Sequence, residues 1–221
     1  LYILAVSVPR QPVFLLESWR FRERIRAQEI SPPPLFIIGH WRSGTTFLHN
    51  LLGQDQRFGC VSLVQAAMPL DFLTLQDTAS NWLRRLLPAT RMMDEMALAP
   101  DVPWEDELAM AGICAYSSYH MSFFPRAAAK ILDHGVLLDD GAEGQLAAWM
   151  SHYGNYLRKV QLARPGRRLL LKNPAHTARI ASLQQMLPGS RFIFLHRHPY
   201  EVFASTMHLY KCVLPAWQLQ S

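Results

Sequence analysis

Leu35-Phe-Ile-Ile-Gly39-His-Trp-Arg-Ser-Gly44-Thr-Thr46 is the stretch from which the rest of the chain can be read: an apolar run, a glycine-bounded loop and a helix start. Leu35 to Ile38 are all apolar, the pattern of a strand covered on both faces. Gly39 and Gly44 let the backbone bend so that N–H groups face inward, toward an anion. Thr45 and Thr46 then open a helix whose apolar positions Phe47, Leu48, Leu51 and Leu52 recur at helical spacing. This order predicts a phosphate cradle; a glycine-bearing turn with no ligand is the plainer alternative.

The spacing follows Gly-x-x-x-x-Gly-Lys-[Ser/Thr], except that Thr45 stands where a nucleoside triphosphatase has its lysine. The cation sits instead at Arg42, inside the loop, where a guanidinium can fork onto phosphate or sulfate oxygens. A loop gripping a β/γ-phosphate with Mg²⁺ needs the helix lysine, so ordinary ATP or GTP hydrolysis is disfavoured.

Upstream, Phe14 to Glu29 predicts a helix with arginines at 20, 22, 24 and 26. Even spacing spreads them round the helix, as on a solvated surface rather than an anion or membrane patch. Ser31-Pro-Pro-Pro34 forbids helix and delivers the chain, extended, into the strand. Downstream, residues 53–58 predict a polar turn, 61–68 a short strand or helix, and Asn81–Leu87 and Arg91–Met96 two helices punctuated by Pro69, Pro88 and Pro100. Gly141 to Lys159 predicts a long helix with Leu146, Trp149, Met150, Tyr153 and Leu157 on one stripe. Arg168-Leu-Leu-Leu-Lys172 is a second strand, followed by Asn-Pro-Ala-His176 and a helix through Met186. Arg191 to His196 is a third, followed by Arg197-His-Pro199 and a helix to about Tyr210.

Strands alternating with helices predict an α/β fold with a P-loop-type parallel sheet flanked by helices: a lead-in over residues 1–33 and one domain over 34–221. The carboxyl ends of such strands share an edge, so the loops at 39–46, 172–176 and 196–199 should converge there.

At 221 residues, 50% hydrophobic and 18% charged, the chain can bury one sizeable core, which excludes a disordered or membrane-embedded protein. Its net charge of +5 favours an anionic ligand, but the 22 lysines and arginines are dispersed, which argues against nucleic acid. Cys60, Cys114 and Cys212 are far apart and odd in number, so neither a disulfide framework nor a metal site is expected. They read as reduced thiols of a cytoplasmic protein. Leu1 to Val8 is apolar but too short to span a bilayer, so no transmembrane segment is expected in this chain. The absence of a starting Met and the unpunctuated end at Ser221 read as a fragment, leaving an upstream signal or anchor open.

Asp101-Val-Pro-Trp-Glu105-Asp-Glu107 places a proline and acids at a helix start, where the helix dipole alone accounts for them. The functional reading has one carboxylate take a proton from an attacking hydroxyl; Glu105 and Glu107, two apart, cannot share a face. Met92, Met93, Met96 and Met110 read as core or as the lining of an apolar pocket, and Tyr116, Tyr119, Phe123 and Phe124 likewise. Arg197 at a strand end and Ser205 two turns into the next helix read either as a salt bridge and a packing serine or as a second phosphate site. His40, His196 and His198 read as structural.

Arg-Ser-Gly-Thr-Thr after an apolar strand, with strand-Arg-x-Pro and a Ser eight residues beyond that Arg, resembles the sulfotransferases that use 3′-phosphoadenosine 5′-phosphosulfate (PAPS). Phe36 to Asn50 and Leu171 to His176 are similar to a bacterial-type branch of that family, and the resemblance covers about residues 34 to 210. It implies that Arg42, Ser43, Gly44, Thr45 and Thr46 hold the 5′-phosphosulfate and that Arg197 and Ser205 hold the 3′-phosphate. It further implies transfer of a sulfuryl group, without a metal, to a hydroxyl or amine of a small-molecule acceptor, and the Met- and aromatic-rich middle of the chain suggests that this acceptor is apolar. Arg42 and Lys172 would offset charge on the moving group, with His176 or Glu105 as base.

The sequence departs from the family in three places. Many members have Lys at the position of Arg42; many cytosolic members place His two residues after the strand-end Lys, not four as here; and the glycine- and basic-rich loop that closes over the nucleotide is absent before Ser221. An atypical P-loop kinase, requiring Mg²⁺ and ATP, and a non-catalytic nucleotide-binding protein are the alternatives.

Overall fold

A computed structural model of the chain describes residues 8–138 and 144–220. The apolar opening at 1–7, the expected helix start at Gly141 and Ser221 lie outside the described residues. Helix α1, Gln11–Ala27, leads through the proline run into β1, Leu35–Gly39. The loop and α2, Thr45–Leu52, follow, then β2, Phe58–Cys60. A helical layer comes next: α3, Leu63–Ala67; α4, Phe72–Leu86; α5, Asp106–Ile113; and the short α6, His120–Phe123, and α7, Ala128–Leu132. Helix α8, Gln145–Ala163, leads to β3, Arg168–Lys172. Helix α9, Ile180–Met186, precedes β4, Arg191–Leu195, and α10, Pro199–Trp217, completes the order.

All the strand pairings are parallel, in the order β2-β3-β1-β4. Leu35 pairs with both Leu170 and Arg191, which aligns the carboxyl ends of β1, β3 and β4 on one edge. Alternation splits the strands between two faces. Phe36, Ile38, Leu169 and Leu171 join the main core with Trp149, Tyr153, Tyr156 and Leu157 of α8, while α2 packs on β1 and β3 from the other side. Strand β4 is an edge and its Phe194 is exposed.

Several local expectations are corrected. β2 lies at the end of what was expected to be a polar turn; three residues are too few to show a period. Of the two readings of residues 61–68, helix is the one observed: α3, opened by a capping box between Ser62 and Gln65. The helix expected from Asn81 begins nine residues earlier at Phe72, and α10 runs on through Pro215 to Trp217. Arg91–Met96 is not a helix. Bridging of Thr90 with Ala97, the Arg91 N–H to Met96 O bond of 2.9 Å and a left-handed Glu95 at φ 53° make it a small hairpin. Pro88 prevents α4 from continuing into it.

Candidate functional site

The loop after β1 is fixed by a close approach. Gly39 has φ 140°, and a Cβ there would stand 2.4 Å from the Leu195 carbonyl oxygen, so β4 can press against the end of β1 only at glycine. The Gly39 N–H donates to Thr177 Oγ1 at 2.9 Å. Ser43 donates to the His40 carbonyl from its hydroxyl at 2.7 Å and from its N–H at 3.2 Å, closing the turn. Arg42 and Gly44 are left-handed, at φ 68° and 96°. Helix α2 then starts without a side-chain cap. Its first-turn N–H groups have no partner within the helix, and the dipole adds partial positive charge there. Loop and helix start together offer donors to an anion.

Lys172 ends β3, beside Ile37, and is almost wholly buried. Its Nζ donates to Thr46 Oγ1 at 3.1 Å and to the Glu105 carboxylate. The cation missing from the helix is therefore delivered to the helix start from the neighbouring strand. Glu105 is the N-cap residue of α5 and is extended, with φ −71° and ψ 128°, so its side chain leaves the helix that Asp106 and Glu107 enter. Its other carboxylate oxygen accepts from the Tyr119 hydroxyl at 3.1 Å. Burial drives the Lys172 ammonium below its ordinary pKa while Glu105 pulls it back up. Burial and the Glu105 charge push the Tyr119 phenol well above its ordinary value, so it remains a donor.

Arg42 turns toward α10 and the 89–98 hairpin. Its Nε donates to Ser205 Oγ at 2.9 Å and its Nη1 to Asp94 Oδ2 at 3.0 Å. Asp94 is also gripped by Arg91, whose Nε donates to it at 2.9 Å. Burial opposes ionisation of Asp94, but these two guanidinium groups hold its carboxyl below the usual range. Arg197, on the exposed side, donates from Nη1 to the Arg42 carbonyl at 3.3 Å and from Nε to Glu201 at 2.7 Å. The two expected anion sites thus meet at Arg42.

His176 is placed elsewhere. It is fully buried on a 3₁₀ turn, Pro174–Ala178, with Nε2 2.9 Å from the Tyr153 hydroxyl and 3.2 Å from Asp106, against Phe36 and Trp149. Glu107 is equally buried, accepting from Arg179 Nη1 at 2.9 Å, Asn173 Nδ2 at 2.5 Å and the Ser118 N–H at 2.7 Å. Burial works against its charge, yet Arg179 beside it holds it at about 2. These two side chains fasten α5 and α8 to the end of β3.

A cavity of about 430 Å³ opens beside the loop. Arg42, Thr45, Thr46, Lys172, Glu105 and Tyr119 line its polar end. Much of the remaining wall is apolar, including Leu87, Met92, Met93, Leu98, Met121 and Trp217. His176, Arg197 and Ser205 are not part of the lining. Sequence reasoning missed Asp94 and Arg91, which a hairpin read as a helix concealed; it offered Tyr119 as core or pocket lining, and Tyr119 does line the cavity, but with its hydroxyl on Glu105 rather than as an apolar wall. Nothing in a single sequence signals that Tyr119 would meet Glu105 fourteen residues away. Among the described residues, no three His, Cys, Asp or Glu side chains gather as a metal site requires, and no helix is long and apolar enough to cross a membrane.

A profile described as the sulfotransferase family matches residues 33–221. The omega-hydroxy-beta-dihydromenaquinone-9 sulfotransferases Stf3 of Mycobacterium bovis and Mycobacterium tuberculosis are each 33% identical over 200 residues, 90% of this chain and 51% of theirs. The crystal structure of sulfotransferase STF9 from Mycobacterium avium aligns with a TM-score of 0.64 at 21% identity, covering 93% of this chain and 53% of that one. That of STF1 from Mycobacterium tuberculosis aligns at 0.62 and 19% identity, over 92% and 56%. The chain thus spans about half the length of the relatives it matches. With the profile covering most of its residues, the chain belongs to the sulfotransferase family.

Proposed function

We propose that this protein moves a sulfuryl group from PAPS to a hydroxyl on an apolar acceptor. One observation carries the reading: the anion-binding loop, Lys172 and Glu105 sit together at the polar end of a cavity whose far wall is apolar. The donor set fits PAPS. Loop N–H groups, the Thr45 and Thr46 hydroxyls and the Lys172 ammonium all present hydrogens, and the left-handed turns at Arg42 and Gly44 shape the loop around them. Arg42, Ser43, Gly44, Thr45 and Thr46 would hold its 5′ end, and Arg197 and Ser205 its 3′-phosphate. PAPS supplies an activated sulfuryl group on a good leaving group.

The chain's own residues do the rest. Fixed donors offset negative charge as it builds on the leaving oxygen. The cavity wall orients the acceptor, which replaces a chance encounter by a held geometry. Glu105 accepts the acceptor's hydroxyl proton, and Lys172 stays beside it to balance charge. His176, without access to the cavity, holds the fold instead.

The mycobacterial relatives are named for a hydroxylated dihydromenaquinone, and the Met- and Leu-rich wall supports an apolar acceptor here too. The three free cysteines support a cytoplasmic location. The reading is tested by thermal shift with adenosine 3′,5′-bisphosphate and with ATP, each with and without Mg²⁺. Metal-independent stabilisation by the bisphosphate, lost in Arg197→Ala, is expected; ATP binding that requires Mg²⁺ would overturn the donor assignment. Transfer of labelled sulfate to a prenyl alcohol in preference to a charged sugar is expected, and the reverse preference would overturn the acceptor class.

A further inference from the structure

Helix α1 buries little apolar surface: Glu17 and Ile25 are its buried residues. It buries a glutamate, Glu17, only 1% exposed and bound to Lys159 Nζ at 2.6 Å and to the Thr74 N–H at 2.7 Å. Its large apolar side chains Leu15, Leu16 and Trp19 are meanwhile 63%, 50% and 81% exposed. A lone exposed leucine needs no explanation, but three large apolar residues exposed within two turns, on a helix whose buried residues are Glu17 and Ile25, mark a surface with a use.

The arginines give that surface its chemistry. Leu15, Trp19, Arg22 and Arg26 are spaced i, i+4, i+7, i+11 and form one outward stripe. Arg20 and Arg24 differ, lying over the Phe21 ring at 5.4 and 5.3 Å. The even spacing that looked evenly solvated thus resolves into a helix whose outer face is apolar at its start and basic at its end. Glu23, 3.6 Å from Arg26, is the acid beside it. Between α1 and α8 a groove of about 480 Å³ runs alongside, with Trp19, Arg22, Arg26, His152 and Asn155 on its walls. Among the described residues, the side chains of Arg22 and His152 have no hydrogen-bond or ion-pair partner.

We propose that the outer face of α1 docks on an anionic lipid bilayer, with Leu15, Leu16 and Trp19 entering the interface and Arg22 and Arg26 meeting lipid phosphates. Tryptophan settles at the headgroup level of a bilayer and basic side chains beside it are drawn to anionic lipid, so a protein surface carrying both suits that boundary. A free phosphate would leave the apolar half of the stripe uncovered, whereas a bilayer covers both halves; an acidic protein as the occupant would leave the vesicle arms of the test below without binding. Arginine stems also cover apolar surface while their heads reach phosphate. The surface serves docking whether or not the cavity proves to transfer sulfate.

The test is co-sedimentation of the whole chain with vesicles of phosphatidylcholine alone or with phosphatidylglycerol, at low and high salt, with sedimentation velocity at the same concentrations. Binding to the phosphatidylglycerol vesicles, weakened by salt, is expected. Each arginine near an anionic surface contributes about fivefold, so R22A/R26A should bind about thirtyfold more weakly, and L15A/W19A should also lose binding. All four side chains face solvent, so unchanged melting curves will show that the variants fold. Equal binding to both vesicle types, or variants that bind like the parent, would overturn the proposal. So would a dimer, dissolved by L15A/W19A, in a chain that ignores vesicles, because a second copy would then be the occupant.

Discussion

Replacing Glu105 by Gln keeps the shape of the side chain and removes its charge and basicity, which separates the two groups that could serve as base. A carboxylate acting as general base contributes about 10²- to 10⁴-fold to rate, about 3 to 5 kcal/mol of barrier. Lys172 should suffer as well. It is fully buried and kept charged chiefly by Glu105, so losing that charge lowers its pKa further and weakens its offset of charge on the moving group. Turnover should therefore fall toward the upper end of that range, while bisphosphate binding, which rests on the loop N–H groups and Arg197 as well as on Lys172, should fall far less. His176→Asn should do the opposite. It removes a buried ring that meets the Tyr153 hydroxyl at 2.9 Å, costing about 1 to 3 kcal/mol of stability. Below the melting transition the remaining folded enzyme should turn over near normally. Single-turnover sulfate transfer and thermal melts on both variants decide the matter. Near-normal turnover in Glu105→Gln with turnover abolished in a well-folded His176→Asn would refute the assignment.

Two further perturbations follow from the same contacts. Asp94 holds the Arg42 guanidinium at 3.0 Å, so Asp94→Asn should release it and tighten bisphosphate binding about fivefold, for a part-buried pair worth about 1 kcal/mol; calorimetric titration showing weaker binding would mean that Asp94 positions Arg42 for the ligand instead. His49 is wholly buried, which, with the Lys172 charge beside it, drives its pKa from 6.5 to about 3. The unfolded chain takes up a proton near 6.5 that the folded chain refuses, so stability should fall by about 1.6 kcal/mol between pH 6.5 and 5. That slope should be missing in His49→Asn, as urea melts at the two pH values would show.

The parts of the fold legible in the sequence are those in which local pattern and packing agree. Leu35 to Gly39 and Arg168 to Lys172 are apolar runs because both faces of their strands are covered, so the run itself announces the burial. β2 escaped because three residues carry no period. The hairpin at 89–98 escaped because its conformation is set by Asp94 reaching Arg91 and Arg42, the latter 52 positions away, and not by local propensity. The loop was legible for a third reason. Gly39 is required by the approach of the Leu195 carbonyl, so a contact 156 residues distant leaves its mark as a glycine.

The site itself divides along the same line. Lys172 ends a strand and Arg42, Thr45 and Thr46 follow one in its loop and helix start, where parallel topology alone brings them to one edge. The choice between Glu105 and His176 could not be made there, because it depends on which side of a turn each faces. Glu105 is an N-cap with extended backbone and is directed out of its helix, toward Lys172. His176 follows Pro174 into a 3₁₀ turn that carries it beneath the sheet, against Phe36. One consequence ties the altered loop to the rest of the chain. A lysine at position 45 would sit one residue from Thr46, whose hydroxyl already receives the Lys172 ammonium at 3.1 Å. Two ammonium groups there would repel unless an anion of high charge lay between them. With Thr45 in place, the single strand-borne lysine faces the helix start and the Glu105 carboxylate together, so the same substitution that argues against a triphosphate leaves Lys172 without a competing ammonium beside Glu105.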